Sequence, residues 1–120
     1  MTAYSYPFAR LLDETELDVL LVGDSLAMVE MGQNDTVDTR LEDMIHHVKM
    51  VRRAVTRTLL VADLPALSYE TPEMAEKTAL LLMEAGAEAV KLEGGVEKRA
   101  VIAHLTSRDI PVMAHLGMLP

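Results

Sequence analysis

Four short, nearly continuous apolar runs, each closing on polar residues, limit what this chain can fold into. They are Leu17–Val22, Thr58–Ala62, Ala87–Leu92 and Ile110–Ala114. Val, Leu and Ile dominate them, without the alternation of a strand that has one wet face. Such runs read as strands buried on both faces, as in a parallel sheet. The segments between them have helical periodicity. In Leu41–Val55 the apolar positions Met44, Ile45, Val48, Val51 and Val55 lie on one helical face. In Pro72–Ala85 the inward positions are Met74, Ala75, Thr78, Ala79, Leu82 and Ala85. Thr71 suits the N-cap, Pro72 the first turn and Gly86 the C′ position. Val96–Ser107 reads as a further helix with Ala100, Val101, His104 and Leu105 inward, and a short helix near Pro7–Thr15 precedes the first run.

Strands alternating with helices imply βαβ units and a parallel sheet. Right-handed crossovers put every helix on one side if such a sheet closes into a barrel. A (β/α)8 TIM barrel needs eight strands in about 250 residues. The 120 residues present, with four such runs, correspond to about half of one. The alternative is a small flavodoxin-like open sheet, complete in itself. No internal repeat, linker or low-complexity tract divides residues 1–120, so they read as a single α/β domain.

Charge and composition narrow the partners. A net charge of −8 argues against binding a phosphate backbone. Phe8, Tyr4, Tyr6 and Tyr69 are the only aromatic side chains, too few for base stacking. No nucleic acid is expected. The absence of cysteine excludes disulfides, thiolate metal sites and a Cys nucleophile. The apolar runs are too short to span a bilayer, and no signal peptide is visible. A cytoplasmic protein is expected, without a membrane partner.

The ends of the runs carry the chemistry. The first ends in Gly23-Asp24-Ser25 and the second in Asp63-Leu64-Pro65. The third ends in Lys91-Leu92-Glu93-Gly94-Gly95 and the fourth in His115-Leu116-Gly117. In parallel α/β proteins the C-terminal rim of the strands is where ligands bind. Asp24, Asp63 and Glu93 are hard oxygen donors suited to Mg²⁺ or Mn²⁺. Lys91 and Glu93 are two apart and share a strand face. Lys91 is placed to neutralise a carboxylate of the site or of a substrate, and Ser25 to hydrogen-bond an anionic ligand. A lone Asp at a strand end is more often a cap or turn residue; three acids with Lys91 and His115 on successive ends favour a site. His46 and His47 read as solvated or packing residues, and His104 as core. Arg52, Arg53 and Arg57 read as a solvated helix end, and the methionines mostly as core filler.

The segments "TAYSYPFA", "LLVGDSLAM", "LEDMIHHVKMVRR", "LLVADLPALSYETPEMA", "AGAEAVKLEGG" and "IPVMAHLGMLP" occur in order over nearly the whole chain. Together they resemble the ketopantoate hydroxymethyltransferase family. The resemblance implies a magnesium-dependent barrel enzyme of pantothenate biosynthesis. It would transfer a hydroxymethyl group from 5,10-methylenetetrahydrofolate to 3-methyl-2-oxobutanoate, giving 2-dehydropantoate through a Mg²⁺-stabilised enolate. It further implies that Asp24 and Asp63 bind Mg²⁺ directly, with Glu93 reaching the ion through water. Asp24, Ser25, Asp63, Lys91 and His115 match the substrate-binding positions. The general base is expected on a later strand, so no residue here takes that role. Large homo-oligomers are also implied.

The sequence departs from the family pattern at two places. Ser5 stands where the family opening T-A-Y-D has an acid. Thr36-Val37-Asp38-Thr39-Arg40-Leu41 stands where the family has T-L-P-V-T-L, which is expected to change the loop packing and the helix cap. Relative to the family, the chain is expected to begin within the first strand and to stop about half-way. Two rival readings remain at this point. One is a Mg²⁺-dependent enolate enzyme of the isocitrate lyase and phosphoenolpyruvate mutase group. The other is an inactive fragment that only binds a metal or a partner.

Overall fold

A computed structural model describes residues 1–117. The closing Met118-Leu119-Pro120 of the last quoted segment lies outside them. The elements run α1 (Tyr6–Asp13), β1 (Val19–Val22), α2 (Leu26–Val29), α3 (Leu41–Arg52), β2 (Leu59–Asp63), α4 (Pro72–Ala85), β3 (Ala89–Glu93), a 3-10 turn (Val96–Lys98), α5 (Arg99–Ser107) and β4 (Val112–His115). The strands form a four-stranded sheet in the order β1-β2-β3-β4. All neighbouring pairs are parallel. A flavodoxin-like sheet reverses its strand order at a switch point. This sheet does not reverse, so the open-sheet alternative fails for the described residues.

Strand register divides the side chains between two faces. Leu20, Val22, Leu60, Ala62, Val90 and Leu92 point to the helices and join the core with Met44, Val48, Val51, Ala75, Ala79, Leu82, Val101 and Leu105. The other face carries Leu21, Val61, Ala89, Asp63, Lys91, Met113, Glu93 and His115, placed together by the pairs Leu21↔Val61, Val61↔Ala89, Asp63↔Lys91, Lys91↔Met113 and Glu93↔His115. The polar residues lie at the C-terminal end of this helix-free face. Thr2 forms a parallel bridge to Leu21, so the first residues run alongside β1.

Local sequence explains the element ends. Thr71 Oγ1 accepts a hydrogen bond from the Met74 N–H and caps α4, and Pro72 sits in the first turn. Gly86 closes α4 at φ 119°, where a Cβ would strike the Arg52 side chain. Arg40 caps α3 without a side-chain bond, in the segment where the sequence departs from the family pattern.

The structure corrects several expectations. α3 ends at Arg52, short of the expected Val55, and just beyond it Asp13 accepts hydrogen bonds from the Thr56 and Thr58 N–H groups. α2 carries no periodic signal at its four residues and was not expected. Met74 and Ala100 face solvent. Of the methionines, Met44 is fully buried, whereas Met1, Met28, Met31, Met74 and Met113 are exposed. His104 is not core: its Nε2 lies 2.5 Å from Glu76 Oε2, joining α5 to α4. Arg52 is not a free helix end. It pairs with Glu88 at 3.1 Å and donates to the Val55 carbonyl. Among the described residues, no helix is long and apolar enough to cross a membrane.

Candidate active site at the strand rim

Each strand of the sheet delivers one part of the site. Asp24 and Ser25 follow β1, Asp63 ends β2, Lys91 and Glu93 close β3, and His115 ends β4. Alternation places Asp63, Lys91, Glu93 and His115 on the helix-free face. All six expected residues form one cluster.

Contacts run continuously across it. The Asp24 backbone N–H donates to Asp63 Oδ2 at 3.1 Å. Lys91 Nζ donates to Asp63 Oδ1 at 2.7 Å and reaches Glu93 Oε1 at 3.5 Å. His115 Nδ1 lies 2.8 Å from the same Glu93 oxygen. Gly23 allows the turn into Asp24. A Cβ there would come within 2.8 Å of Ser25 Oγ and 3.4 Å of Asp63 Oδ2.

The cluster is short of positive charge. Asp24, Asp63 and Glu93 face the single ammonium of Lys91. Burial, together with the Asp63 and Glu93 charges, pushes the Asp24 carboxyl up to about 6 against the pull of Lys91. Lys91 is partly desolvated, but its hydrogen bond to Asp63 and the surrounding carboxylates outweigh that and hold it firmly protonated.

The donor set fits a hard divalent cation: it is all carboxylate oxygen and carries excess negative charge. The placement is not a closed cage. Among the described residues no group of three His, Asp or Glu side chains is set to hold a metal ion. The Lys91 ammonium bridges Asp63 and Glu93. Among the described residues, Asp24 has no basic side chain paired with it.

Further residues reach the site without having been expected there. Tyr4 Oη lies 2.8 Å from Ser25 Oγ. His47 Nδ1 lies 2.6 Å from the Tyr4 carbonyl oxygen, so this histidine is neither free nor merely packed. Thr39 Oγ1 donates to the Asp24 carbonyl at 3.2 Å. Burial raises the Tyr69 phenol, which lies against the Glu93 backbone N–H and under the Lys98 ammonium, 4.9 Å from its ring centre. Tyr4, His47 and Tyr69 lie inside motifs that carried the resemblance, Thr39 lies in the segment that departs from it, and none of the four gave a spacing signal.

A family model described as ketopantoate hydroxymethyltransferase matches residues 1–120. The chain is 51% identical over 120 residues to 3-methyl-2-oxobutanoate hydroxymethyltransferase of Shewanella loihica, covering 100% of this chain and 46% of that protein. It is 50% identical over 121 residues to the protein of that name from Pyrobaculum islandicum, with the same 100% and 46% coverage. For the one from Caldivirga maquilingensis the identity is 52% over 121 residues, again with 100% and 46% coverage. The chain thus spans about half the length of these relatives. Among solved structures it resembles phosphonopyruvate hydrolase in complex with oxalate and Mg²⁺, with TM-score 0.79, 15% identity, and coverage of 95% of this chain and 45% of that one. It also resembles 2,3-dimethylmalate lyase, a PEP mutase/isocitrate lyase superfamily member, with TM-score 0.70, 24% identity, and coverage of 94% and 46%. Those two likenesses bear on the fold. The match along the whole sequence decides the family, and the chain belongs to the ketopantoate hydroxymethyltransferases.

Proposed function

We propose that this chain forms the metal- and 2-oxoacid-binding half of an eight-stranded barrel enzyme. The reaction is transfer of a hydroxymethyl group from 5,10-methylenetetrahydrofolate to 3-methyl-2-oxobutanoate, giving 2-dehydropantoate for pantothenate synthesis. The observation that carries this reading is the charge imbalance on the rim: three carboxylates face one lysine, and Asp24 is raised to about 6. Asp24 and Asp63 would hold Mg²⁺, with Glu93 reaching it through water. The ion supplies Lewis-acid polarisation of the keto oxygen when bound. The Lys91 ammonium and the Ser25 hydroxyl bind and orient the carboxylate of the 2-oxoacid. His115 also contacts the 2-oxoacid, and its Nδ1 fixes the Glu93 carboxylate 2.8 Å away. Glu93 is tied to Lys91 and His115 and is not the base that removes the C3 proton; that base belongs to the remaining strands. The folate co-substrate and a homo-oligomeric, cytoplasmic enzyme complete the reading.

A second reading draws on the fold. The neighbour solved with oxalate and Mg²⁺ shares this half-barrel, and a lyase or hydrolase on the same rim would act on a related acid without folate. Half-identical relatives along the whole chain favour the transferase.

Thermal unfolding with and without ligands tests the site. A ligand that binds only the folded chain raises its Tm. Mg²⁺ and 3-methyl-2-oxobutanoate together should raise Tm, and Asp24→Asn or Asp63→Asn should remove the shift. A cooperative transition indifferent to both ligands would sink the site. Turnover of the 2-oxoacid without folate by the full-length enzyme would favour the second reading.

A further inference from the structure

We infer that Tyr4, anchored through its carbonyl by His47, is a positioning residue that aims the Ser25 hydroxyl at the carboxylate of the bound 2-oxoacid. The inference rests on the 2-oxoacid site proposed above and adds a layer behind it. The three residues come from separate parts of the chain. Tyr4 lies in the segment beside β1, Ser25 in the turn after β1, and His47 within α3. Tyr4 is half-buried, and its hydroxyl meets Ser25 Oγ at 2.8 Å. The His47 ring meets the Tyr4 carbonyl at 2.6 Å, and as its Nδ1–H tautomer it donates there. The backbone carrying Tyr4 is also tied to β1, since the Ala3 N–H donates to the Leu21 carbonyl at 3.0 Å.

The chemistry fixes the direction. A phenol is the stronger donor of the two hydroxyls, and an aliphatic hydroxyl the better acceptor. Tyr4 therefore donates to Ser25 Oγ, which leaves the Ser25 proton for another acceptor. On its other side Gly23 leaves Ser25 Oγ open space, since a Cβ there would come within 2.8 Å of it, so the Tyr4 contact is what restrains the hydroxyl. Its proton is directed to the rim, where an anionic oxygen receives it. Without Tyr4 the hydroxyl turns freely and its proton is no longer aimed.

The test is a double-mutant cycle on the 120-residue chain. Affinity for 3-methyl-2-oxobutanoate is measured by calorimetry in saturating Mg²⁺, and affinity for Mg²⁺ is measured alone. Tyr4→Phe keeps the ring and removes one hydrogen bond. It should weaken the 2-oxoacid by about threefold to tenfold and leave Mg²⁺ affinity unchanged. On a Ser25→Ala background it should do nothing more. His47→Ala should reproduce part of the loss, and His47→Asn, whose amide nitrogen takes the place of Nδ1, should restore it. An equal loss on both backgrounds, or none on either, overturns the inference. A second measurement is independent of ligand: the Ser25 13Cβ shift in the ligand-free chain, which Tyr4→Phe should move. If the unmodified chain binds no 2-oxoacid, the reading of the site falls and the aim at a substrate falls with it. A moved Ser25 shift then still establishes the Tyr4 contact, and an unmoved one removes that as well.

Discussion

Asp24 carries the least compensated charge on the rim. Its folded pKa of about 6 lies above the 3.8 of a free carboxyl. The folded chain thus holds this proton more tightly than the unfolded chain does. Stability therefore falls as pH rises from about 4 to about 6 and stays lowered above that. In EDTA at pH 8, Asp24→Asn should be more stable by on the order of 1 kcal/mol, after allowance for solvent screening. At pH 3.5 the two chains should melt together. Mg²⁺ should reverse the order at pH 8, stabilising the unmodified chain alone. Melting curves at the two pH values check this, and an Asn variant less stable in EDTA would contradict it. The expected site residues were legible because each sits at the end of an apolar run, where sequence position alone predicts the rim. Tyr4, Thr39 and His47 were not. They act through a hydroxyl or a backbone carbonyl far away in sequence, and such contacts leave no periodicity.

At the scale of elements, one buried carboxylate joins the first helix to the second strand. Asp13, at the end of α1, accepts hydrogen bonds from the Thr56, Arg57 and Thr58 N–H groups and from Thr56 Oγ1. Burial opposes its ionisation, but the bonds from Thr58 and Thr56 outweigh that and hold the carboxyl well below the usual range. The sign is the reverse of Asp24: the stabilisation is present above about pH 4 and is lost as pH falls below it. Asp13→Ala leaves several N–H groups without a partner and should cost about 2–3 kcal/mol at pH 7. Urea titrations should show that gap closing toward pH 2. Gly86→Ala should cost more than about 1 kcal/mol, since the left-handed φ and the Arg52 side chain both exclude a Cβ. The α4 cap was legible because Thr71, Pro72 and Gly86 each have a local reason to be there. The end of α3 was not, because the chain just beyond it is held by Asp13, from a distant part of the sequence.

For the whole molecule, apolar periodicity implies parallel βαβ units but not the order in which strands pair. That order depends on which edges meet once the helices have packed, which is why the open-sheet alternative was viable until the register was seen. The consecutive order puts α3, α4 and α5 on one face and leaves the other face, with its site, bare of helices. Its lower part is apolar, where Leu59, beside Val19 in register, is 41% exposed, and Met113, in the row of Asp63 and Lys91, is 39% exposed. Among the described residues β4 is also a sheet edge, with unpaired backbone groups on its outer side. Such a surface favours association through the bare face and the free edge. Leu59→Lys places a charge at the bottom of that face, far along β2 from Asp63, and leaves the rim intact. It should shift the 120-residue chain toward monomer in light scattering at constant salt. The Tm response to Mg²⁺ and 2-oxoacid should remain. If association is unchanged, the bare face is not the contact surface. If the ligand response is lost with it, the two ends of the strands are coupled and the rim depends on how that face is covered.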